Sequence, residues 1–402
     1  MKNNKLIKLF LVLALVISSA LGCVYAFSFR NMTLDFVQIS DTHITDRADT
    51  SYKALSSSKD LLKDAINQIN NMKGLDFVLF TGDMVDAATE ENFENYYTLL
   101  KRLKYPSLNA FGNHDFYGND KETILNIVKK NNPNYTFNDT YYAFSPKTDY
   151  RIIILDSTIK DTNTANGELS QEQLDFLDSE LAQNKDKIVL IAMHHPSVEP
   201  FASSDHTIVN ANQFNEILLK YKNPIIVVSG HYHASKIRRM GNLVFVSTPA
   251  MVTYPMAFRR IKIVNFKDRV EYKFDFYPTR LDEVKEENRQ SVVSYGVLAG
   301  MEKDREQDFI FRKRFSRSAS YKRNKIKNST KERTISKKEA KKLTTQNQVK
   351  TKTSILEKYH AKIQDIKEKL EQKRIEKAQK PKKERVHKSR KYRKTKGSTD
   401  GV

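Results

Sequence analysis

Residues 34–43, with the sequence LDFVQISDTH, combine a mostly apolar run with a carboxylate and an imidazole at its end, Asp41 and His43. The run has the length and composition of a β-strand in the core of a sheet. In extended backbone, side chains two positions apart lie on the same side of the chain. We therefore expect Asp41 and His43 to converge just beyond the strand, where they could bind a single ion.

Short apolar runs alternate with amphipathic segments along the first three quarters of the chain. The predicted strands span residues 34–39, 77–80, 151–155, 188–193, 225–228 and 243–246. The predicted helices, in which apolar residues recur at three- and four-residue spacing, span 60–72, 91–103, 121–130, 170–182 and 212–220. This alternation predicts an α/β fold. Two later segments, 259–265 and 270–276, alternate as antiparallel strands do, and we expect the sheets to end near Pro278.

Polar motifs follow the predicted strands in the same way that Asp41 and His43 follow the first one. They are Gly82-Asp83, Gly112-Asn113-His114-Asp115, His194-His195-Pro196 and Gly230-His231-Tyr232-His233. In α/β sheets, ligands bind in the crevice beyond the strand ends. Imidazole, carboxylate and one amide suit first-row divalent ions such as Mn, Fe, Zn or Co, whereas Ca²⁺ would not select so many histidines. The single cysteine, Cys23, excludes an internal disulfide and a cysteine-based zinc site.

Taken together and in this order, the five motifs resemble those of the calcineurin-like metallophosphoesterase superfamily, over residues 33–278. The resemblance implies a four-layer α-β-β-α sandwich of two mixed sheets, with a binuclear metal site at the strand ends. It implies that one metal is held by Asp41, His43 and His233, the other by Asn113, His194 and His231, and that Asp83 bridges them. It also implies that His114 approaches the leaving group or the phosphoryl oxygens, and that Asp115 orients His114.

The implied activity is a metal-dependent phosphoester hydrolase with two divalent ions, such as Mn, Fe or Zn. Two such ions about 4 Å apart lower the pKa of a shared water, so that hydroxide can attack phosphorus in line. Segments 141–144, 152–157 and 167–174 resemble the class III cyclic-nucleotide phosphodiesterase and glycerophosphodiesterase branch, so we expect a small phosphodiester substrate. Two alternatives stay open: a phosphomonoesterase using the same site, and a polyanion-binding envelope protein with a vestigial catalytic domain.

The N-terminal segment 1–30 has the composition of a targeting sequence. Three lysines precede a run of 21 residues, 9–29, without charge, which is long enough to span a bilayer. It could be an uncleaved anchor, a signal peptide cut after Ala26, or a segment lipidated at Cys23. In each case we expect the catalytic domain on the extracytoplasmic side, either membrane-anchored or secreted.

The C-terminal part divides into two segments. We expect 279–311 to form a helix docked on the domain. Residues 312–402 contain 33 Lys or Arg and 9 Asp or Glu, whereas residues 1–311 contain 36 and 39. This tail has few large apolar residues and is expected to be disordered or helical. Its charge would attract anionic lipid or an envelope polymer, and no motif for sequence-specific nucleic-acid binding accompanies it.

Overall fold

The computed structural model describes residues 32–160, 164–201 and 206–313. The predicted targeting segment 1–30 and the basic tail after Lys313 lie outside these residues. Within the three described ranges, every helix is too short or too polar to cross a bilayer.

Twelve strands and eight α-helices are found in the described residues. The strands are β1 (Thr33–Ile39), β2 (Phe77–Thr81), β3 (Ser107–Ala110), β4 (Tyr142–Phe144), β5 (Tyr150–Ile154), β6 (Ile188–Ala192), β7 (Ile225–Ser229), β8 (Lys236–Met240), β9 (Leu243–Ser247), β10 (Ala257–Asn265), β11 (Arg269–Pro278) and β12 (Gln307–Arg312). The helices are α1 (Ser58–Asn70), α2 (Glu90–Leu100), α3 (Lys121–Asn131), α4 (Gln171–Gln183), α5 (Ala211–Leu219), α6 (Asp282–Ser291), α7 (Tyr295–Ala299) and α8 (Glu302–Arg305).

The strands form two mixed sheets of six strands each. The first has the order β12-β11-β10-β1-β2-β3, and the second has the order β4-β5-β6-β7-β9-β8. Strands β1, β2 and β3 are parallel, as are β5, β6, β7 and β9. The motif connections therefore leave both sheets from carboxyl ends of parallel strands, which is where α/β folds place their ligands.

Alternate residues of the second sheet face two different apolar layers. In β6, Leu190 belongs to the cluster between the two sheets, whereas Ile191 packs with residues of α4 and α5. The inner cluster continues through the first sheet to buried residues of α1, α2 and α3. Burial on both faces explains why these strands are apolar without alternation. The predicted four-layer sandwich is confirmed.

The expected end of the sheets near Pro278 is wrong. The chain returns after β11 and adds β12 antiparallel to it at the edge of the first sheet. Every second side chain of this short strand is partly buried on one face of the sheet. On that face the ring of Phe309 lies 4.8 Å from that of Tyr272. Arg312, predicted as the first residue of the basic tail, is the last residue of β12.

Segment 279–306 is also more divided than the single docked helix that we expected. It contains α6, α7 and α8, and α7 ends at Gly300, whose φ of +65° favours glycine. Apolar residues at irregular spacing therefore reflect three short helices. Val292 and Leu298 are buried in a small apolar cluster with Tyr232.

Candidate metal centre

All seven predicted ligands lie in connections that follow the carboxyl ends of strands. Asp41 and His43 follow β1, Asp83 follows β2, Asn113 follows β3, His194 follows β6, and His231 and His233 follow β7. Six of the seven are buried, and His231 is half-buried. The structure therefore brings together side chains that are up to 192 positions apart in the sequence.

The backbone at the ligands differs from the extended conformation that we expected for Asp41 and His43. Positive φ occurs at six non-glycine residues in the described chain, and five of these are predicted ligands. They are Asp41 (φ 53°), His43 (41°), Asp83 (51°), His231 (68°) and His233 (53°). Non-glycine residues in the left-handed region carry strain of about 1–3 kcal/mol each, and such strain concentrates at functional sites. The paired ligands converge because a left-handed turn redirects each side chain.

Two motif glycines allow the connections to approach each other closely. A Cβ at Gly112 would overlap the Asp83 carboxylate, and a Cβ at Gly230 would overlap the side chain of Ser40. Glycine is therefore required at these two positions because neighbouring connections pass too close for any side chain.

One group of ligand atoms surrounds the Asp41 carboxylate. His233 Nε2 lies 3.3 Å from Asp41 Oδ1, and His43 belongs to the same cluster of possible ligand atoms. His43 Nε2 also lies 3.5 Å from Asp83 Oδ2. This group matches the ligand set expected for the first metal.

A second group lies on the other side of Asp83. His194 Nε2 is 3.3 Å from Asp83 Oδ2 and 3.0 Å from His231 Nδ1. Two nitrogens that bind one cation at about 2.1 Å lie about 3 Å apart when the bonds meet at a right angle. The Asp83 carboxylate thus contacts both groups, as a bridging ligand must.

Several of the convergent atoms are buried and have no hydrogen-bond partner. These are Asp41 Oδ1, His43 Nε2 and Asn113 Oδ1. A buried polar atom without a partner costs about 1–3 kcal/mol, so three in one place require an explanation. Cations bound by these oxygen and nitrogen atoms would supply it, and the residues therefore fit the pair of divalent ions that the sequence implies.

Neighbouring groups fix which nitrogen of each histidine is free. His194 Nδ1 donates to the carbonyl oxygen of Thr81 over 2.8 Å, because a carbonyl can only accept. His233 Nδ1 lies 2.9 Å from Thr253 Oγ1. In both rings this leaves Nε2 directed at the carboxylates, which is the arrangement of a metal-binding histidine with a supporting partner.

The Asp41 and Asp83 carboxylates carry negative charge in the centre, and nearby histidines hold the pKa of each below its ordinary value. Burial opposes protonation of His194, but the Asp83 carboxylate outweighs it and raises the pKa of His194 to about 9. Burial likewise opposes ionisation of Asp83, yet His194 holds the pKa of Asp83 well below its ordinary value. Burial and the nearby Lys53 ammonium lower the pKa of His43 to about 3, which keeps that ring neutral.

His114 lies at the edge of the centre, but the expected role of Asp115 is wrong. Both oxygens of the Asp115 carboxylate accept backbone N–H groups, from Val85 (3.1 Å) and Gly112 (2.9 Å). His114 Nδ1 instead donates to the carbonyl oxygen of Asp86 over 2.7 Å. Asp115 therefore supports the two motif connections, and Asp86 orients the His114 ring.

Asp86 and Lys53 are residues of the site that sequence reasoning missed. The Asp86 carboxylate lies 3.3 Å from His43 Nδ1, so it supports a ligand and its carbonyl supports His114. Lys53 Nζ lies 3.4 Å from both His43 Nδ1 and His114 Nε2, and the Lys53 side chain is only 7 % exposed. A single lysine or aspartate in a connection that contains other charges offers no sequence signal for either role.

Two further histidines lie beside the ligands. His195 is buried, its Nδ1 lies 2.9 Å from Ser157 Oγ, and its Nε2 has no hydrogen-bond partner. Its ring centroid is 4.3 Å from that of His231. The ring of His206 lies 5.5 Å from that of His231. His195 therefore supports the second group of ligands, and His206 contributes to the entrance.

A cavity of about 450 Å³ opens onto the centre. Its polar floor includes Asp83, Asn113, His231 and His233, and His114 and Lys53 face it from one side. Aromatic and apolar side chains form the walls: Tyr52 and Tyr117 from connections after β1 and β3, Phe201 and Tyr232 from connections after β6 and β7, and Val292 and Leu298 from segment 279–306. A charged group can thus bind at the floor while organic substituents contact the walls.

The calcineurin-like phosphoesterase family model matches residues 34–235. The chain belongs to this family. It is a metal-dependent phosphoester hydrolase, and the matched region contains the clusters of His and Asp side chains that could hold metal ions. The predicted resemblance to the class III branch is also confirmed.

Several members of the family are similar to this chain in sequence. A probable glycerophosphodiester phosphodiesterase GpdQ of Arcobacter nitrofigilis is 31% identical over 227 residues, which is 55% of this chain and 79% of that protein. A 3',5'-cyclic-nucleotide phosphodiesterase of a Nostoc species is 26% identical over 55% of this chain and 79% of its own length. The 3',5'-cyclic adenosine monophosphate phosphodiesterase CpdA of Haemophilus influenzae is 25% identical over 56% of this chain and 79% of its own length.

Among solved structures, a dimetal phosphatase from Danio rerio has a similar fold. It superposes with a TM-score of 0.52 at 17% sequence identity, over 61% of this chain and 99% of that phosphatase. At this identity the likeness concerns the fold alone.

Proposed function

We propose that this phosphoesterase hydrolyses small phosphodiesters, with two divalent transition metal ions such as Mn, Fe or Zn in the centre. The substrate class is inferred from the two aromatic walls of the cavity. Tyr117 lies beside His114 and Tyr52 beside His233, whereas Tyr232 lies beside His231 with Phe201 against it. A phosphoryl group at the floor would therefore have an apolar surface for each of two ester substituents. The sequence relatives, which are diester hydrolases by name, support the same class.

The ligand assignment remains part of this proposal. Asp41, His43 and His233 would hold one ion, Asn113, His194 and His231 the other, and Asp83 would bind both. Bound ions would supply a water of lowered pKa as nucleophile and would neutralise charge that develops on the phosphoryl oxygens. Asn113 contributes its oxygen because its amide nitrogen donates to Tyr117 Oη over 2.9 Å.

The residues of the chain supply orientation and protons. The backbone N–H of His114 donates to Asp83 Oδ1 over 2.9 Å, which ties the His114 ring to the centre. With Nδ1 donating to the Asp86 carbonyl, His114 Nε2 is the atom that faces the cavity and Lys53. Burial lowers the pKa of His114, so the neutral ring has a free Nε2 that can accept a proton from the Lys53 ammonium. That proton can then pass to a departing alkoxide, and Lys53 can also donate a hydrogen bond to a phosphoryl oxygen.

Turnover by the metal-loaded full chain tests the proposal. The chain is stripped of metal, reloaded with Mn²⁺, and assayed on bis(p-nitrophenyl) phosphate and p-nitrophenyl phosphate. We expect the higher kcat/KM for the diester, because the monoester leaves one aromatic wall without contact. A higher kcat/KM for the monoester would contradict the proposed substrate class.

A phosphomonoesterase is the second candidate, and Lys53 is the observation that favours it. A buried ammonium beside His114 could neutralise the second negative charge of a monoester. If that contact is used, Lys53→Met will lower kcat/KM for the monoester about 10-fold more than for the diester, since hydrogen bonds to charged groups contribute about 1.5–3 kcal/mol. Equal losses on both substrates would rule out this use of Lys53.

A further inference from the structure

The ends of the strands opposite the metal centre form a second charged surface. We define the basic face as seven connections, 71–76, 101–106, 145–149, 184–187, 220–224, 241–242 and 266–268, which adjoin the amino ends of the parallel strands and the β10–β11 turn. They contain ten Lys or Arg residues, four Asp and no Glu. The ten basic residues are Lys73, Lys101, Arg102, Lys104, Lys147, Lys185, Lys187, Lys220, Lys222 and Lys267.

Hydrogen bonds join several of these connections, both within one sheet and between the two sheets. Lys147 Nζ, before β5 in the second sheet, lies 2.6 Å from Asp76 Oδ2, before β2 in the first. Asn265 at the end of β10 donates to Asp149 Oδ2 over 2.9 Å. Asn223 donates to the carbonyl oxygen of Lys187 over 2.8 Å, which joins the connections before β6 and β7.

The charge of this surface is local and is not a property of the whole domain. Residues 1–311 together contain slightly more acidic than basic residues, 39 against 36. The connections around the metal centre, 40–54, 82–89, 111–120, 155–170 and 193–210, contain ten Asp or Glu and three Lys or Arg in their described residues. Basic and acidic groups are therefore separated to opposite ends of the same strands.

The described domain also begins and ends at the basic face. The carbonyl oxygen of Met32 accepts from the Asn265 N–H over 2.8 Å, and the Lys313 N–H donates to the carbonyl oxygen of Asp268 over 2.9 Å. In the sequence, the uncharged run 9–29 precedes the first of these two residues, and the segment 312–402, with its 33 basic residues, includes and follows the second. Both flanking compositions favour a membrane surface: one is apolar, and the other is attracted to anionic headgroups.

We propose that the basic face is a docking surface for an anionic lipid bilayer and that the metal centre opens away from that bilayer. Strand β1 has seven residues between the face and Asp41, which places the centre about 20 Å beyond the face. The phosphoester substrate then reaches the centre from the aqueous side. A soluble polyanion would suit the lysines, but it gives no role to the adjacent uncharged run, so lipid is the favoured partner.

The orientation can be measured directly because the chain contains no tryptophan. Phe266→Trp places a fluorescent reporter in the basic face, where the Arg269 guanidinium covers the ring at 4.1 Å. Tyr295→Trp places a matched reporter near the cavity, at a side chain that is 43% exposed. Each full-length variant is mixed with vesicles of phosphatidylglycerol and phosphatidylcholine that carry a nitroxide on the lipid headgroup.

We expect the Phe266→Trp reporter to lose most of its fluorescence on anionic vesicles and the Tyr295→Trp reporter to lose little. Adding Lys104→Glu and Lys222→Glu should restore much of the lost fluorescence, because the carboxylates weaken the attraction between the basic face and the anionic headgroups. The control pair Arg280→Glu and Lys303→Glu, in segment 279–306, has the same change in net charge and should restore none. Pure phosphatidylcholine vesicles should quench the Phe266→Trp reporter less.

Three results would overturn the proposal. Equal quenching of both reporters, or stronger quenching of Tyr295→Trp, would show that the domain does not dock through the basic face. Equal effects of the two charge-reversal pairs would show that net charge, not this surface, controls the interaction. A spectral response of the Phe266→Trp reporter to heparin, without quenching by anionic vesicles, would assign the face to a soluble polyanion.

Discussion

The connections at both ends of the parallel strands contain left-handed backbone, but different types of residue adopt it at the two ends. At the carboxyl ends, positive φ angles occur at Asp41, His43, Asp83 and the paired histidines after β7, where non-glycine side chains carry the strain. At the basic face, positive φ occurs only at Gly74 and Gly241 among the described residues. The comparison indicates that, with the exception of Met256, side-chain-bearing residues of the described chain adopt the left-handed conformation only where they are predicted ligands.

The charges differ between the two ends in the same way. Carboxylates at the metal centre are buried and convergent, so they attract cations to one point. Lysines at the basic face are mostly exposed and distributed over many connections, so they attract an extended anionic surface. If the two functions are separate, a substitution at one end should leave the measured property of the other end unchanged.

The largest effect is expected from Asp83→Asn, which removes the charge of the shared ligand. We expect kcat/KM for the diester to fall by about 10³-fold or more, because metal ions supply several kcal/mol of transition-state stabilisation. Steady-state assays at saturating Mn²⁺ measure the loss. The pair Lys104→Glu and Lys222→Glu, at the opposite end, should keep the wild-type kcat/KM; a comparable loss in that variant would show that the two ends are coupled.

The next effect is expected from His114→Ala, which should keep the metals and lose turnover. General acid catalysis contributes about 10²–10⁴-fold, and only a poor leaving group needs the proton. We therefore expect at least about 10²-fold loss on an alkyl ester and a smaller loss on an aryl phosphate, with metal content measured by mass spectrometry. Equal losses on the two esters would exclude His114 as the proton donor.

A matched pair of substitutions separates the roles of two neighbouring acids. Asp86→Asn should weaken Mn²⁺ binding or turnover by about 10–100-fold, because the carboxylate supports His43. Asp115→Asn should lower the free energy of unfolding by about 1–3 kcal/mol, because one of its two backbone donors loses an acceptor. Metal titration and denaturant unfolding of both variants give the comparison. The reverse assignment of effects would restore the orienting role expected for Asp115.

The smallest effect is expected from Gly74→Ala, which measures the energetic cost of left-handed backbone in a residue with a side chain. Gly74 has a φ of +80°, and a Cβ added there would have no atom within 4 Å, so Gly74→Ala changes the backbone energy without a steric clash. We expect a loss of about 1 kcal/mol in the free energy of unfolding, with kcat/KM unchanged. Urea unfolding measures this cost. No loss in stability would mean that the positive φ angles at the metal centre carry little strain.

The metal centre could be predicted from sequence because its chemistry lies in short motifs. Carboxylate and imidazole residues directly after apolar strands identify themselves by residue type, and the strand pattern predicts that they meet. The order of the strands, and hence β12 at the edge of the first sheet, could not be predicted, since DFIF is too short to show a period. The three short helices before β12 were hidden for the same reason.

The contacts that support the ligands could not be predicted. Asp86 acts through both its carboxylate and its carbonyl oxygen, and Lys53 reaches the centre from a connection between β1 and α1. The basic face was equally hidden, because its lysines come from separate connections and share a surface only once the topology is known. In each case the missing information is the spatial relation between distant segments.

The number of metal ions per chain tests the central claim most directly. The full chain is stripped of metal, equilibrated with Mn²⁺ by dialysis, and analysed for bound metal beside Asp83→Asn and the Lys104→Glu and Lys222→Glu pair. We predict two ions per chain in the wild type and in the paired variant, and fewer than two in Asp83→Asn. One ion or none in the wild type, or two ions retained in Asp83→Asn with unchanged affinity, would contradict a two-metal centre bridged by Asp83.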